Sequence, residues 1–319
     1  MSDHIDMTFV AIGYNEAESI EACIASLCEA APDGIAIEIL YVDGGSQDAS
    51  VEVATQAGAD RILGGDKRRR AAENRNLGLQ AARGEYVQFV DGDMTLDPEW
   101  ARVAVEFLRA HPEVGALCGN IDETRTGLIA RVLELDWRRC EGVVTHVGGA
   151  AMFRRDVIEK VGGFPEDMPY GEEPWLCWRI RNELGLGVHQ LDRRMVNHDL
   201  AFRGFRDYWR RGVRCGETYV EVASRCWHTK DKFWLRETLR NLVWSAVLLV
   251  AFLLLLFAPT PIRLGVLILI LAIAARKGYQ FWRRGNPLGI ALLYGFHAYF
   301  IKLPIAWGEA KRLTRHILS

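Results

Sequence analysis

From residue 7 the chain alternates between short apolar runs and amphipathic stretches. MTFVAIGY reads as a buried strand, and NEAESIEACIASLCEA reads as a helix with Ile20, Ile24 and Leu27 recurring at spacings of three and four. IAIEILYVD predicts a second strand, DGGSQDAS a turn and SVEVATQAGA a helix. RILGG is a short strand, AAENRNLGLQAARG a helix closed by glycine, and EYVQFVDGD a fourth strand. Such alternation predicts an α/β fold with a mostly parallel sheet covered by helices on both faces, and ligands binding beyond the carboxyl ends of its strands.

The pattern changes in the last third. Residues 241–258, NLVWSAVLLVAFLLLLFA, carry no charge and approach the length that crosses a bilayer. After PTPIR a second run, 261–276, reaches spanning length with its ends at the interface. A third, 288–307, is interrupted by His297, Lys302 and Pro304 and is expected to be re-entrant or interfacial. Lys230, Lys232, Arg236 and Arg240 precede the first span, and Arg276, Lys277, Arg283 and Arg284 follow the second. The positive-inside rule then sets both flanks, and the domain before them, on the cytosolic face of the cytoplasmic membrane. The expected division is a catalytic domain at 1–200, a basic, aromatic interfacial segment at 201–240 and a membrane region at 241–319.

Composition narrows the class. A formal net charge of −2 over 319 residues argues against nucleic acid as a partner. The seven cysteines contain no C-x-x-C pair, which predicts reduced thiols in the cytosol, and the start of the chain has no secretory-leader pattern.

Polar residues gather where the strands end. Asn15 and Glu16 follow the first strand, Asp43 the second, and Asp91 and Asp93 the fourth. No G-x-x-x-x-G-K-[ST] loop occurs and no G-x-G-x-x-G follows the first strand, so nucleotide phosphates need another means of neutralisation. The pair in DGD supplies one through a hard cation, Mg2+ or Mn2+, bridging carboxylate and diphosphate. Asn15 and Asp43 are also good helix or turn caps.

The runs FVAIGYNEAESI, YVDGGSQDAS, ENRNLGLQAARGEYVQFVDGDM and GEEPWLCWRI, in this order, resemble the family 2 inverting glycosyltransferases of GT-A fold over roughly residues 7–215. The resemblance implies that Asn15 and Glu16 help hold the nucleotide, Asp43 meets the base, and Arg75 lies near base and diphosphate. Asp91 falls near the ribose, and Asp93 binds the metal. The family often has DDGS where this chain has DGGS, so an acid at position 44 is missing. Gly148 and Gly149 let backbone approach the donor sugar. Glu172 and Glu173 match the acidic pair, with Glu in place of the usual Asp at 173; either could reach the acceptor, and Glu173 is taken as the base. His198 is a further metal or phosphate contact, or a structural histidine. Arg210 and Arg211 either meet a phosphate or anchor the segment at an anionic membrane surface. Lys67 to Arg70 are read as a solvated loop.

The resemblance implies a single displacement in which Glu173 takes the acceptor proton and the diphosphate leaves. The donor is a nucleoside-diphosphate sugar, a UDP-sugar by family frequency. The processive synthases' Q-x-x-R-W block is missing, so one sugar is added to a membrane-bound acceptor, such as a polyprenyl-diphosphate-linked oligosaccharide. Polyprenyl phosphate is the alternative acceptor, and a non-catalytic nucleotide-sugar-binding subunit is the alternative class.

Overall fold

The computed structural model describes residues 5–124, 127–136, 141–198 and 204–318. The chain divides into two compact units, one of residues 1–124 and 137–199, the other of residues 125–136 and 200–319. In chain order the elements are β1 (Met7–Gly13), α1 (Ile20–Glu29), β2 (Ile37–Asp43), α2 (Ser50–Gln56), β3 (Arg61–Gly64), α3 (Ala71–Ala81), β4 (Tyr86–Asp91), β5 (Met94–Leu96), α4 (Trp100–Ala110), β6 (Val114–Glu123) and α5 (Leu128–Glu134). There follow β7 (Gly142–Val143), β8 (Ala151–Arg154), α6 (Arg155–Lys160), α7 (Glu172–Glu183), β9 (Gly187–His198), α8 (Phe205–Arg225), α9 (Leu235–Phe257), α10 (Thr260–Trp282), α11 (Leu288–Phe300) and α12 (Lys302–Leu318).

The first unit is an α/β sandwich around one sheet, ordered β3-β2-β1-β4-β8-β6-β9-β5, with β7 paired to β9. Strands β3, β2, β1 and β4 run parallel, as the alternation predicts; the apolar residues of β1, β4 and most of β2 are buried on both faces, those of the edge strand β3 only partly. β8 reverses direction, pairing antiparallel with β4 and β6; β6 and the parallel β9 therefore run with β4, and β5 reverses again against β9. The sheet is therefore mixed in its second half, where the strands are too short and irregular for periodicity to reveal their direction. The register opposes Gly13 to Asp43 and Ile12 to Asp91, so three strand ends finish level at one edge.

Helices cover the sheet by the spacing read in the sequence. On α1, Ile20, Cys23, Ile24 and Leu27 are the buried positions. α3 lies close to the sheet at Gly78, where a Cβ would stand 2.3 Å from a Val10 methyl carbon. Several large buried polar groups inside the unit are satisfied, while Asn74 Oδ1 and Arg75 Nε are buried without a hydrogen-bond partner. Trp100 donates Nε1–H to Gln88 at 2.8 Å, and Glu38 accepts from Thr8 and from the Arg83 guanidinium at 2.8 and 2.9 Å.

The second unit is helical. α8 and α12 meet at glycines: a Cβ on Gly216 would fall 1.9 Å from the Ile305 carbonyl oxygen, and one on Gly308 2.0 Å from that of Val213. α10 and α11 pair the same way, through Gly278 and Gly295. α5 joins this unit because Val132 and Leu135 pack with Phe281, Ile290 and Tyr294. The 201–240 stretch is not a separate segment; α8 and the start of α9 are part of the bundle.

Among the described residues two helices are long and apolar enough to cross a membrane, Leu235–Phe257 and Leu288–Arg315. The first leaves most of its apolar surface exposed, unlike a core helix. The second is the run expected to be re-entrant. It stays helical because Pro304 sits in the first turn of α12, where its missing N–H costs little. Its polar residues also find partners: Lys302 donates to Asn241 at 2.8 Å, Ser245 donates to the Lys302 carbonyl at 2.6 Å, and His297 is held by Tyr208 and Asp136. α10, the expected second span, is not one of the two; Arg263, Arg276 and Lys277 confine its uncharged run to 264–275.

Candidate active site

The level ends of β1, β2 and β4 carry the first half of the site. The loop after β1 is stitched to the loop after β2. The Asn15 amide donates to Ser46 Oγ, the Gln47 amide to Asn15 Oδ1, and the Glu16 amide to Ser50 Oγ, each at 2.8 Å. Asn15 holds φ at 58°, which asparagine tolerates better than most residues. Asp43 is fully buried and closes its own turn: its carboxylate accepts from the Gly45 and Ser46 amides at 2.9 and 2.8 Å, Ser46 Oγ at 2.5 Å and the Tyr41 hydroxyl at 3.2 Å. Both residues thus take the cap role and fix the two loops at the strand ends. Position 44 has no room for a second acid, because a Cβ there would stand 2.9 Å from the Asn74 amide and 3.0 Å from the Gly13 carbonyl.

Arg75 is the hub. It sits on α3, 3% exposed, and its Nη2 reaches Asp91 at 2.9 Å while Nη1 reaches Glu172 at 3.3 Å and Glu173 at 3.0 Å. One guanidinium therefore joins the end of β4 to the start of α7. The three carboxylates hold its charge in place, against a burial cost that alone would lower its pKa. Asn76 fixes the neighbouring loop, donating to the Phe164 carbonyl and accepting from its amide at 2.8 Å. Phe164 then lies over Arg75, 5.6 Å from ring centre to guanidinium carbon.

Gly171 adopts φ 86° and starts α7 there, so Glu172 and Glu173 fall in the first helical turn, where the helix dipole favours anions. Burial and the Glu172 charge nevertheless push the Glu173 carboxyl up to about 7, with Arg75 opposing. A carboxylate poised near neutrality suits a general base. Arg179, one helical face further on, donates to the Val161 carbonyl and pairs with Glu183 at 2.8 Å, pinning α7 to the turn after α6. Gly149 closes over the hub: a Cβ there would stand 2.7 Å from Arg75 Nη2 and 2.8 Å from Asp91 Oδ2. Gly148 beside it has open space.

Asp93 points elsewhere. The antiparallel pairing of β5 with β9 sets Met94 opposite His198, which brings the imidazole Nε2 to 3.3 Å from Asp93 Oδ2. Burial works against a charged His198, but the hydrogen bond and charge of Asp93, helped by Asp91 and Glu123, raise its pKa overall. Glu16 faces the same turn; burial, then the charges of Asp93 and Asp91, raise its pKa despite a hydrogen bond from Ser19. Asp93 is 42% exposed, and among the described residues no three His, Cys, Asp or Glu side chains form a ready-made metal cage. One carboxylate and one imidazole with an open side would fit a Mn2+ or Mg2+ ion, whose remaining ligands would have to come from outside the protein.

Tyr14 went unnoticed in the sequence, and Arg68 is read there only as part of a solvated run. Arg68 lies over Tyr14, 3.6 Å from its ring centre, and reaches the Gly44 carbonyl at 3.3 Å. Lys67, Arg68 and Arg70 are exposed, as expected of a solvated run, and Arg69 is paired with Asp66 at 2.5 Å. The signal for the contact of Arg68 with Tyr14 was a tyrosine at the very end of β1 and four consecutive cationic residues. Arg210 and Arg211 belong to α8 of the helical unit.

Comparison with known proteins agrees with this geometry. Residues 8–162 match the family described as "Glycosyl transferase family 2", just under half of the chain. Glycosyltransferase AglE of Haloferax volcanii is 28% identical over 169 residues, 50% of this chain and 55% of the relative. Pre-mycofactocin glycosyltransferase of Mycobacterium tuberculosis is 28% identical over 241 residues, 70% of this chain and 48% of the relative. The chain thus spans about half the length of these relatives. Among solved structures, the mannosyltransferase PcManGT of Pyrobaculum calidifontis, in complex with GDP-Man and Mn2+, superposes with a TM-score of 0.64 over 92% of this chain and 86% of its own, at 20% identity. The strand-end carboxylates and the DGD turn lie within the segment that matches the family 2 glycosyltransferases, and the superposition shows a GT-A-like fold.

Proposed function

We propose that the chain transfers one sugar from a nucleoside-diphosphate sugar to a hydroxyl of a membrane-bound acceptor, with inversion at the anomeric carbon. The observation that carries this reading is the Arg75 hub, which ties the DGD turn to the acidic pair, the donor side to the base. The relatives' names and the nucleotide-sugar and Mn2+ of the structural neighbour support it.

Glu173 accepts the proton of the acceptor hydroxyl as its oxygen bonds to the anomeric carbon; the bond from that carbon to the diphosphate oxygen breaks, and its electrons leave with the diphosphate. Arg75 keeps the neighbouring carboxylates compensated while Glu173 gains its proton. Gly149 keeps the floor of the site clear of side chain. Asp93 and His198 would hold a divalent cation, which supplies charge neutralisation for the diphosphate. A phosphate acceptor needs no base, so the raised Glu173 carboxyl favours a hydroxyl acceptor over polyprenyl phosphate. The exposed apolar surface of α9, and the basic residues before it, support attachment to the cytosolic face of a membrane.

The test is release of nucleoside diphosphate by detergent-solubilised protein across a panel of nucleotide-sugars, with Mn2+, Mg2+ or chelator, and with or without a polyprenyl-lipid extract. Release from one donor, dependent on metal and raised by lipid, is expected and names the sugar. Donor binding without release under every condition would instead favour a non-catalytic subunit.

A further inference from the structure

Position 44, just past the end of β2, contributes no side chain, and three groups crowd the point where its Cβ would stand. The Asn74 amide nitrogen lies 2.9 Å from that point, the Gly13 carbonyl oxygen 3.0 Å and Arg68 Nη1 3.2 Å. Asn74, on α3, is 3% exposed, whereas Arg68 is exposed. Arg68 thus covers the point from the solvent side, and Asn74 meets it from within.

The other acceptors around this point are already engaged. The Gly13 carbonyl accepts from the Gly44 amide at 2.8 Å, and the Gly44 carbonyl from the Arg69 amide at 3.1 Å and from Arg68 at 3.3 Å. Both Asp43 oxygens are taken up by its own turn and by Tyr41. Asn74 Oδ1 differs: it is buried and accepts no hydrogen bond. An orphaned amide oxygen is costly inside a fold, and leucine would fill the same volume without that cost. Packing therefore does not account for asparagine here. A donor that arrives with a ligand does, at the carboxyl ends of parallel strands, where ligands of such sheets bind.

The chemistry of the corner selects that donor. Asn74 offers one acceptor and a donating amide nitrogen, and the Arg68 guanidinium donates only. Their complement is a flat edge with a single N–H between two carbonyl oxygens, the imide edge of uracil. Guanine, adenine and cytosine each carry an amino group whose additional N–H needs an acceptor, where Arg68 brings donors. Arg68 is held over the entrance by its contact with Tyr14 and its bond to the Gly44 carbonyl, and such contacts of an exposed guanidinium are weak enough to be exchanged.

We propose that Asn74 reads the base of the donor nucleotide, its Oδ1 accepting the ring N–H of uracil once Arg68 moves off the point it covers and turns its own N–H groups to a uracil carbonyl. This rests on the nucleotide-sugar reading above and deepens it, naming the base and the residue that chooses it. Asn74 is a specificity residue, remote from the reacting atoms.

Titration calorimetry of the full detergent-solubilised chain with UDP, GDP, CDP and ADP, each with Mn2+, measures the choice. UDP is expected to bind about tenfold or more tighter than the other three. Asn74→Leu removes both acceptor and donor, lowers UDP affinity about tenfold and leaves the nucleotides binding alike. Asn74→Asp keeps an acceptor for the uracil N–H and replaces the amide donor by a second acceptor, which suits the ring N–H and amino group of guanine, so the ratio of UDP to GDP affinity falls about fivefold or more. Thermal unfolding checks that Asn74→Leu is folded, and the isosteric Asn74→Asp gives an independent reading if it is not. Equal binding of all four by the wild type, a preference for another base, or an unchanged ratio in a folded variant overturns the assignment and leaves the transferase reading standing. Failure of every nucleoside diphosphate to bind, with Mn2+ or without, would break the nucleotide-sugar reading itself and this inference with it.

Discussion

Replacing Arg75 by methionine tests the hub most directly. The side chain is 3% exposed and makes three ion pairs of 2.9, 3.0 and 3.3 Å with Asp91, Glu173 and Glu172. Methionine keeps much of the volume, so the change is chiefly electrostatic: three carboxylates lose a shared partner inside the fold. Removing one member of a buried pair costs about 3–5 kcal/mol. In a unit of this size that lowers Tm by roughly 6–20 °C, at about 2–4 °C per kcal/mol. The loss also depends on pH in a definite direction. Glu173 already has a folded-state pKa raised from 4.5 to about 7, so its contribution is fully present below about pH 4.5 and is lost as pH rises through 7. Without Arg75 that pKa rises further, and the penalty grows towards alkaline pH and shrinks towards acid. Differential scanning fluorimetry of wild type and Arg75→Met from pH 5 to 9 reads both quantities. A Tm difference under about 2 °C, or one that widens as pH falls, would refute the hub as described.

Further outcomes follow from the same geometry. Glu173→Gln lowers kcat by about 10²–10⁴ with donor affinity nearly unchanged, by titration calorimetry and initial rates, whereas wild-type turnover removes Glu173 as base. In the wild type, kcat/KM with a hydroxyl acceptor falls on the acid side of about pH 7 as Glu173 takes up its proton; a profile flat down to pH 5 contradicts that role. His198→Ala raises the Mn2+ concentration required for half-maximal donor binding about tenfold, and no change reduces His198 to a structural partner of Asp93. Gly149→Ala drives a methyl into Arg75 and Asp91 and reduces kcat/KM at least tenfold, about 1.4 kcal/mol, while Gly148→Ala stays within about twofold; equal effects would mean the clash is relieved by movement.

Local signals carried the first half of the domain. Strand–helix alternation, the glycine after α3 and the DGD turn each lie within a few residues of what they specify, so β1 to β4 stand where the sequence indicates them. The direction of β8 and β9, and the pairing that brings His198 to Asp93 across 105 residues, depend on register that no local pattern encodes. The same is true of Arg75. Its motif suggests a place near base and diphosphate, but its partners Glu172 and Glu173 lie nearly a hundred residues on, and only folding reveals a buried charge clamp. In the helical unit, His297 and Lys302 look like interruptions of an apolar run until Tyr208, Asp136 and Asn241 arrive from other helices to bond them.

The two aspartates of DGD divide the work between them. Asp91 ends β4 and turns inward to Arg75, under Gly149; Asp93 precedes β5 and turns outward, beside His198. Gly92 permits the tight reversal between them because a Cβ there would press on the Ile12 carbonyl at 3.2 Å. The inner charge is compensated by a fixed cation and belongs to the architecture that positions Glu173. The outer one has only a titratable imidazole beside it, with Glu16 adding to the negative field. A diphosphate approaching that outer edge meets repulsion unless a divalent cation accompanies it. Under the proposed function, dependence on metal and poise of the base would be properties of residues with separate partners, so that a perturbation of one leaves the other measurable.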